Sequence, residues 1–273
     1  MNPIPVMVNG LPGKVATAIA AGVLADARFS LVPVSFTGPE ITATPQEVSG
    51  TPVTLLPPDR RAAYREAAIP AGMITVDFTH PSAVNDNAAF YCQNQLPFVM
   101  GTTGGDRAAL ARTVAESRIP AVIAPNMAKQ IVGFQAMMTY AAENFPGLFE
   151  GYSLEIRESH QTGKADTSGT AKAMVGLFNQ LGCDFSEAQI QQERDPERQR
   201  TAWGIPPEHL SGHAWHTYTL TSPDGSVQFS FRHNINGREV YVQGTLDAVR
   251  FLSGRRAEGG RVFSMIDVLR AGG

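Results

Sequence analysis

A short apolar run, Val6-Met7-Val8-Asn9, breaks into the glycine turn Gly10-Leu11-Pro12-Gly13-Lys14-Val15-Ala16. A segment with apolar residues at helical spacing follows, through Ala18, Ile19, Val23 and Leu24. Strand, tight turn and helix in that order open a dinucleotide-binding sheet: the turn lets backbone approach a pyrophosphate, and the helix start offers unpaired N–H groups. The Gly-x-x-Gly-x-x-Ala spacing is a loose form of that fingerprint, and taken alone it fits an ordinary glycine turn equally well. A P-loop does not fit, because Gly10 lies too close to Gly13-Lys14 and because Val15 and Ala16 stand where Ser or Thr is needed.

The segments that follow favour the dinucleotide reading. Val53-Thr54-Leu55-Leu56 reads as a strand and residues 59–68 as a helix. Ile74-Thr75-Val76-Asp77 then runs into Phe78-Thr79-His80, with Ser82 placed to cap the next helix. Phe98-Val99-Met100 runs into Gly101-Thr102-Thr103-Gly104, a helix starts near Asp106, and Ala121-Val122-Ile123-Ala124 runs into Pro125-Asn126-Met127. In an open parallel sheet, ligands bind beyond the carboxyl ends of the strands, so these tips are expected to share one cleft with the Gly10 turn. The cofactor candidates are therefore Gly10, Leu11, Pro12, Gly13, Lys14, Val15, Ser35, Thr37, Phe78, Thr79, Gly101, Thr102, Thr103, Ala124, Pro125, Asn126 and Met127. A site for NAD usually offers the ribose an acidic group about twenty residues past the glycines. Here the strand-like stretch Leu31 to Gly38 presents Ser35 and Thr37 and no carboxylate. A carboxylate there would repel a 2′-phosphate, so its absence, with Lys14 in the turn, points to NADPH, with NADH also possible.

After Asn126 the pattern changes, and 273 residues, 43% of them hydrophobic, are enough for two cores. The expected division is a dinucleotide-binding domain over 1–127, completed by 245–273, and a substrate-binding and oligomerisation domain over 128–244. The fold class is α/β, a Rossmann-type doubly wound parallel sheet plus an α+β domain with a mixed sheet. A net charge of −3 gives no electrostatic case for nucleic acid. Cys92 and Cys183 lie far apart, which fits a reducing compartment and rules out a cysteine-based zinc site. No basic region precedes an apolar run at the amino terminus, and no window reaches the length of a membrane span, so neither a signal peptide nor a membrane partner is expected. The expected setting is the cytoplasm, or the stroma of a plastid-like organelle.

The second half carries the polar stretch Glu158-Ser159-His160-Gln161-Thr162-Gly163-Lys164-Ala165-Asp166-Thr167-Ser168-Gly169-Thr170 between a strand-like segment, 152–157, and a helix-spaced one, 171–181. It reads as a reactive loop. Ser168 is placed to cap the helix, the helix start suits a carboxylate or phosphate, and Gly169 allows close approach. Lys164 adds a positive charge and His160 a group that exchanges protons near neutral pH. The plain alternative is a solvated surface loop. Strands are expected at 215–220 and 227–231, with the turn Pro223-Asp224-Gly225-Ser226, and again at 237–242; residues 245–252 and 262–269 read as helices. A sheet face left uncovered by helices would serve a homo-oligomer, a dimer or tetramer. His213 and His216, three apart on a strand, point to opposite faces, so shared metal binding is not expected. His233 and Arg238 flank a hairpin and could pair with substrate or with nearby carboxylates, the structural reading being favoured; His80 reads as a cleft-lining residue and Cys183 as a small buried one.

With these residues in view, the chain resembles the 4-hydroxy-tetrahydrodipicolinate (dihydrodipicolinate) reductases of lysine and diaminopimelate synthesis. The resemblance rests on Gly10 to Val15, Asp77-Phe78-Thr79, Gly101 to Gly104, Ala124 to Met127 and the stretch Glu158 to Ala171. The Glu-Ser-His-Gln form of that stretch and the segment Gly212 to Leu220 are similar to the plant and cyanobacterial branch. The resemblance implies a two-domain enzyme whose nicotinamide cofactor delivers hydride to a cyclic dicarboxylate after loss of water. His160 would be the proton donor, kept cationic by nearby carboxylates, and Lys164 would assist protonation and hold the substrate. Gly169 and Thr170 would grip a carboxylate, with Ser168 at the same helix start. Bacterial members carry two adjacent histidines where this chain has His160-Gln161, so the second histidine's substrate contact falls to the amide of Gln161 or to a group elsewhere. Lys14, Ala16 and Met127 also depart from the bacterial pattern. An aldehyde dehydrogenase acting through a thiol would need an activated cysteine, and neither cysteine lies in such a motif; a non-enzymatic nucleotide sensor would not need His160 and Lys164.

Overall fold

The computed structural model describes residues 2–41, 45–61, 64 and 69–272, and the chain divides into two units, residues 1–132 with 239–273 and residues 133–238. In the first unit, β1 (Ile4–Asn9) leads through the Gly10 turn into α1 (Lys14–Ala25). Ala16, Ile19, Ala20 and Val23 of α1 are buried, the spacing by which a helix covers a sheet. The stretch read as one strand over 31–38 is two, β2 (Phe29–Leu31) and β3 (Val34–Phe36), separated at Pro33, which has no N–H to give to a ladder. β3 pairs instead with β5 (Thr51–Leu56), which pairs with β4 (Pro45–Val48) in a separate three-stranded sheet. The helix expected over 59–68 begins as a 3-10 turn, Pro58–Arg60; residues 62–63 and 65–68 lie outside the described residues.

The main sheet continues with β6 (Ile74–Asp77), α2 (Val84–Gln93), β7 (Phe98–Met100), α3 (Arg107–Ala115) and β8 (Ala121–Ile123), its strands parallel in the order β8-β7-β6-β1-β2. Val6, Val8, Val76 and Val99 face one core with Ile19 and Val23 of α1. Met7, Phe98 and Met100 face another with Val84, Tyr91, Leu110 and Val114 of α2 and α3. Helices on both faces explain why these strands read as unbroken apolar runs. Asp106 caps α3 by accepting the Ala109 N–H at 2.9 Å. Ser82 does not cap α2: its N–H donates to Nδ1 of His80, and a 3-10 turn, Pro81–Ala83, precedes the helix.

The second unit begins within α4 (Lys129–Asn144). It contains β9 (Ser153–His160), α5 (Gly169–Gln180), β10 (Gln191–Glu193), α6 (Pro196–Thr201), β11 (His213–Thr221) and β12 (Gln228–Asn236). Its mixed sheet has the order β10-β9-β11-β12, with β10 parallel to β9 and the other pairs antiparallel. Met174 and Phe178 of α5 pack with Ile156, Tyr218 and Leu220 of the sheet.

The chain then returns to the first unit as α7 (Val240–Ser253), β13 (Val262–Phe263) and α8 (Met265–Arg270). A strand over 237–242 is not formed. The Val240-Tyr241-Val242 alternation mimics one, but Gly237 turns the chain at φ 75° and Val242 packs beside Gly22 of α1 as part of a helix. Nor is 262–269 wholly helical: Val262 and Phe263 add a sixth parallel strand beside β8, and a capping box between Ser264 and Asp267 starts α8. The doubly wound parallel sheet and the mixed-sheet companion expected from the sequence are both present.

Candidate active site

In the first unit, the glycine turn is built for close approach. Gly10 has φ 106°, where side chains are strained, and a Cβ there would collide with the Phe78 carbonyl; one on Gly13 would sit 2.7 Å from the Gly10 oxygen. Gly13 is the N-cap of α1 and makes no side-chain cap, so a bound anion can take the role a cap would fill. Pro12, Gly13, Lys14 and Thr103 are exposed. Leu11, Ser35, Thr37, Thr102, Ala124 and Met127 are buried. Ser35 Oγ accepts the Leu11 N–H at 3.3 Å, Thr102 Oγ1 accepts the Thr79 N–H at 2.9 Å, and a Cβ on Gly101 would meet the Phe78 ring. The Ala124 N–H donates to the Met100 carbonyl, joining the β8 tip to the β7 tip.

The tips are tied together by Asp77, a residue that sequence reasoning left without a role of its own. Fully buried, its carboxylate accepts from Thr79 N–H and Oγ1, Asn87 Nδ2, Tyr91 Oη at 2.6 Å and Thr102 Oγ1 at 2.6 Å. Asn9 extends the network, donating to Tyr91 Oη and accepting the Phe36 N–H. Burial, reinforced by the Asp77 charge, pushes the Tyr91 phenol well above its usual range and keeps it a donor. Asp77→Ala leaves several buried donors unpaired and should lower the unfolding free energy by about 3 kcal/mol. Denaturant unfolding of wild type and variant checks this.

In the second unit, Glu158, Ser159 and His160 belong to the end of β9 and are buried, so the expected loop is shorter than its sequence suggested. Alternation along β9 puts Glu158 and His160 on one face. The register places His216 of β11 opposite Glu158, and His233 of β12 opposite His216, so a row of ionisable groups crosses the sheet. The His160 and His216 rings meet edge to face at 5.2 Å, and His216 stacks on His233 at 4.7 Å. That His216 and His233 stand beside Glu158 and His160 is not visible in the sequence; only strand register brings them together. His213 points to the other face and pairs with Ser159 at 2.9 Å.

The Glu158 carboxylate anchors the cluster. Arg194 Nη2 lies 2.6 Å from Oε1, the Ser168 N–H donates to Oε2 at 3.0 Å, and Nε2 of His160 and His216 stand 3.8 Å and 3.7 Å from Oε2. Burial alone would raise its pKa, but the His216 and Arg194 side chains outweigh it and bring the pKa to about 2. His160 differs from expectation. Burial, then His216, drive its pKa down to about 3 against the pull of Glu158, so the chain's own groups hold the imidazole neutral, not cationic. One carboxylate, already shared with a guanidinium, does not offset the loss of water around the ring.

Ser168 is the N-cap of α5 as expected, but its hydroxyl bonds His216 Nε2 at 3.0 Å and does not cap. Gly169 is exposed with nothing within 4 Å of a would-be Cβ, and Thr170 is half-buried beside it. Lys164 pairs with the exposed Asp166 at 2.8 Å, a weak contact that a better anion can displace. Gln161 is half-buried next to His160, whose carbonyl accepts from Gln199 of α6. Glu158, His160 and His216 offer ligand atoms within 4.8 Å of one another, a set chemically able to take a metal ion. Arg194 already occupies the carboxylate, and the buried His216 Nδ1 lacks the partner that usually orients a metal-bound imidazole.

A doubly wound sheet with a glycine cradle, joined in sequence to a mixed-sheet unit with a buried His-Glu-Arg cluster, defines the protein as a dinucleotide-dependent oxidoreductase. Residues 4–127 match the family model for dihydrodipicolinate reductase, N-terminus, and residues 131–269 that for its C-terminus. The chain belongs to the dihydrodipicolinate reductase family. It is 49% identical over 99% of its length, and 78% of the relative's, to 4-hydroxy-tetrahydrodipicolinate reductase 2, chloroplastic, of Arabidopsis thaliana. It is 48% identical to reductase 1 of the same plant over 99% of the chain and 79% of the relative. Among solved structures, a dipicolinate-bound dihydrodipicolinate reductase from Paenisporosarcina sp. TG-14 shares the fold with a TM-score of 0.67 at 19% identity, covering 96% of this chain and 97% of that one.

Proposed function

We propose that the chain catalyses the NAD(P)H-dependent reduction of 4-hydroxy-tetrahydrodipicolinate to tetrahydrodipicolinate with loss of water, in the diaminopimelate route to lysine. The observation that carries this is His160, buried with an unpaired Nε2 against the ionised Glu158, close in sequence to Lys164 and to the uncapped start of α5. Bound NADPH supplies the hydride. The turn Gly10 to Val15 and the start of α1 fit its phosphates, since the turn packs so tightly that no side chain fits at Gly10 or Gly13 and the helix start carries no side-chain cap. Lys14 is exposed there and adds a positive charge, which supports NADPH over NADH, although the Glu40 carboxylate lies against Gly38 beyond Thr37.

On the substrate side, Lys164 exchanges Asp166 for a substrate carboxylate, and Gly169 and Thr170 present the α5 start to it, with Ser168 and Gln161 alongside. Two carboxylates brought to His160 add to the charge of Glu158, and the imidazole takes up the proton that the ring will need. The protein adopts a homo-oligomeric state. Met137 and Tyr140, 65% and 62% exposed on α4, and Phe229, 44% exposed on the edge strand β12, are apolar surface that a second copy would cover. A monomeric mass by light scattering at micromolar concentration would count against this. Among the described residues no helix is long and apolar enough to cross a membrane, and the chloroplastic names of the plant relatives support a plastid stroma, or the cytoplasm, as its setting.

The test is NADPH oxidation followed at 340 nm with substrate freshly made by the preceding synthase. The reading requires turnover that depends on that substrate; no oxidation with substrate present would overturn it.

A further inference from the structure

Arg194, which follows β10, is absent from every motif in the sequence, yet it makes more side-chain contacts around the cluster than either proposed reacting residue. Its Nη2 pairs with Glu158 Oε1 at 2.6 Å, its Nε donates to the Lys164 carbonyl at 3.0 Å, and its Nη1 donates to the Glu193 carbonyl at 3.0 Å. Its own carbonyl accepts from Thr162 Oγ1 at 3.0 Å, and the neighbouring Gln192 donates to Thr167 Oγ1 at 2.6 Å. One guanidinium and one short strand thus hold the stretch 161–168 at three places. Only 18% of the Arg194 side chain is exposed, and its partner Glu158 is fully buried, so the contact is not a solvated surface pair.

We propose that Arg194 is a positioning residue of the reduction: its planar fork fixes the Glu158 carboxylate and the Lys164 backbone in one frame, so that His160 meets a permanent negative charge and Lys164 a set position. The inference rests on the function proposed above and adds a residue to it. The fork geometry matters, because a lysine places one charge but cannot donate along several fixed directions at once.

The charges that face His160 are Glu158 from its own strand, His216 from β11, Arg194 from beyond β10, and Lys164 and Asp166 from the loop. Of these, Glu158 and Asp166 favour the imidazolium, and Asp166 is largely exposed, its side chain 79% accessible. Glu158 is therefore the anion that counts. Without Arg194 the Glu158 carboxylate loses the guanidinium that fixes its place beside the imidazole, although the guanidinium's own charge disfavours the imidazolium. What Arg194 supplies is therefore position rather than charge.

The experiment compares kcat against pH, and KM for the dicarboxylate and for NADPH, in wild type, Arg194→Gln, Arg194→Lys and Glu158→Gln. In Arg194→Gln, kcat should fall about tenfold or more, whereas in Glu158→Gln the alkaline limb of the profile should move toward acid by about one pH unit. KM for NADPH should stay within about twofold. Arg194→Lys should recover part of kcat, and millimolar guanidinium should raise the activity of Arg194→Gln but not that of wild type. A wild-type kcat in Arg194→Gln, no rescue of that variant by guanidinium, or a loss of kcat matched by the loss of folded protein in circular dichroism would each overturn the proposal. Failure of wild type itself to oxidise NADPH with the dicarboxylate would instead sink the functional reading beneath it.

Discussion

His160→Gln should lower turnover by about two to three orders of magnitude while leaving NADPH affinity within about twofold. Glutamine keeps most of the side-chain volume at a buried position, so the fold is spared, but it has no titratable proton. His160 lies on β9 and the proposed phosphate cradle on the Gly10 turn, so cofactor binding does not depend on the imidazole. Steady-state kinetics with cofactor fluorescence titration separates the two quantities. Equal losses of turnover and of NADPH binding would contradict the assignment.

Lys164→Ala should reduce kcat/KM for the dicarboxylate by about two orders of magnitude, through a higher KM and a lower kcat together. In the proposed role the ammonium contributes charge to substrate binding and again as negative charge moves onto the reacting ring. Its present partner Asp166 is exposed, with its carboxyl held below the usual range chiefly by the Lys164 hydrogen bond. Removing Lys164 frees that aspartate beside the incoming dicarboxylate and adds repulsion to the lost attraction. Asp166→Asn should therefore be much milder than Lys164→Ala, and the same assay on both variants checks the order.

The parts of the molecule legible in the sequence are those set by local rules. Apolar runs ending in Gly10, Thr79, Gly101 and Asn126 identified the parallel sheet, because buried strands and their tips leave a one-dimensional trace. The start of α5 at Ser168 and that of α3 near Asp106 were likewise readable. What escaped was set by pairing between distant segments. Nothing in the chain order says that His216 faces Glu158 or that His233 faces His216; the β9-β11-β12 register decides it. The charge state of His160 escaped for a related reason: nearby carboxylates can be counted in a sequence, but desolvation cannot. Val240-Tyr241-Val242 shows the opposite error, a local alternation overruled by the packing of a long helix.

Central to the account is an imidazole that is neutral in the protein and becomes the proton donor when a dicarboxylate arrives. Nitrogen-15 NMR of histidine-labelled protein at pH 7, with NADP+ present, reads this directly as pyridine-2,6-dicarboxylate is added. One histidine, missing from the His160→Gln spectrum, should pass from the neutral to the imidazolium pattern on saturation. A His160 signal that stays neutral in the complex, or that is already imidazolium before the dicarboxylate is added, would contradict it.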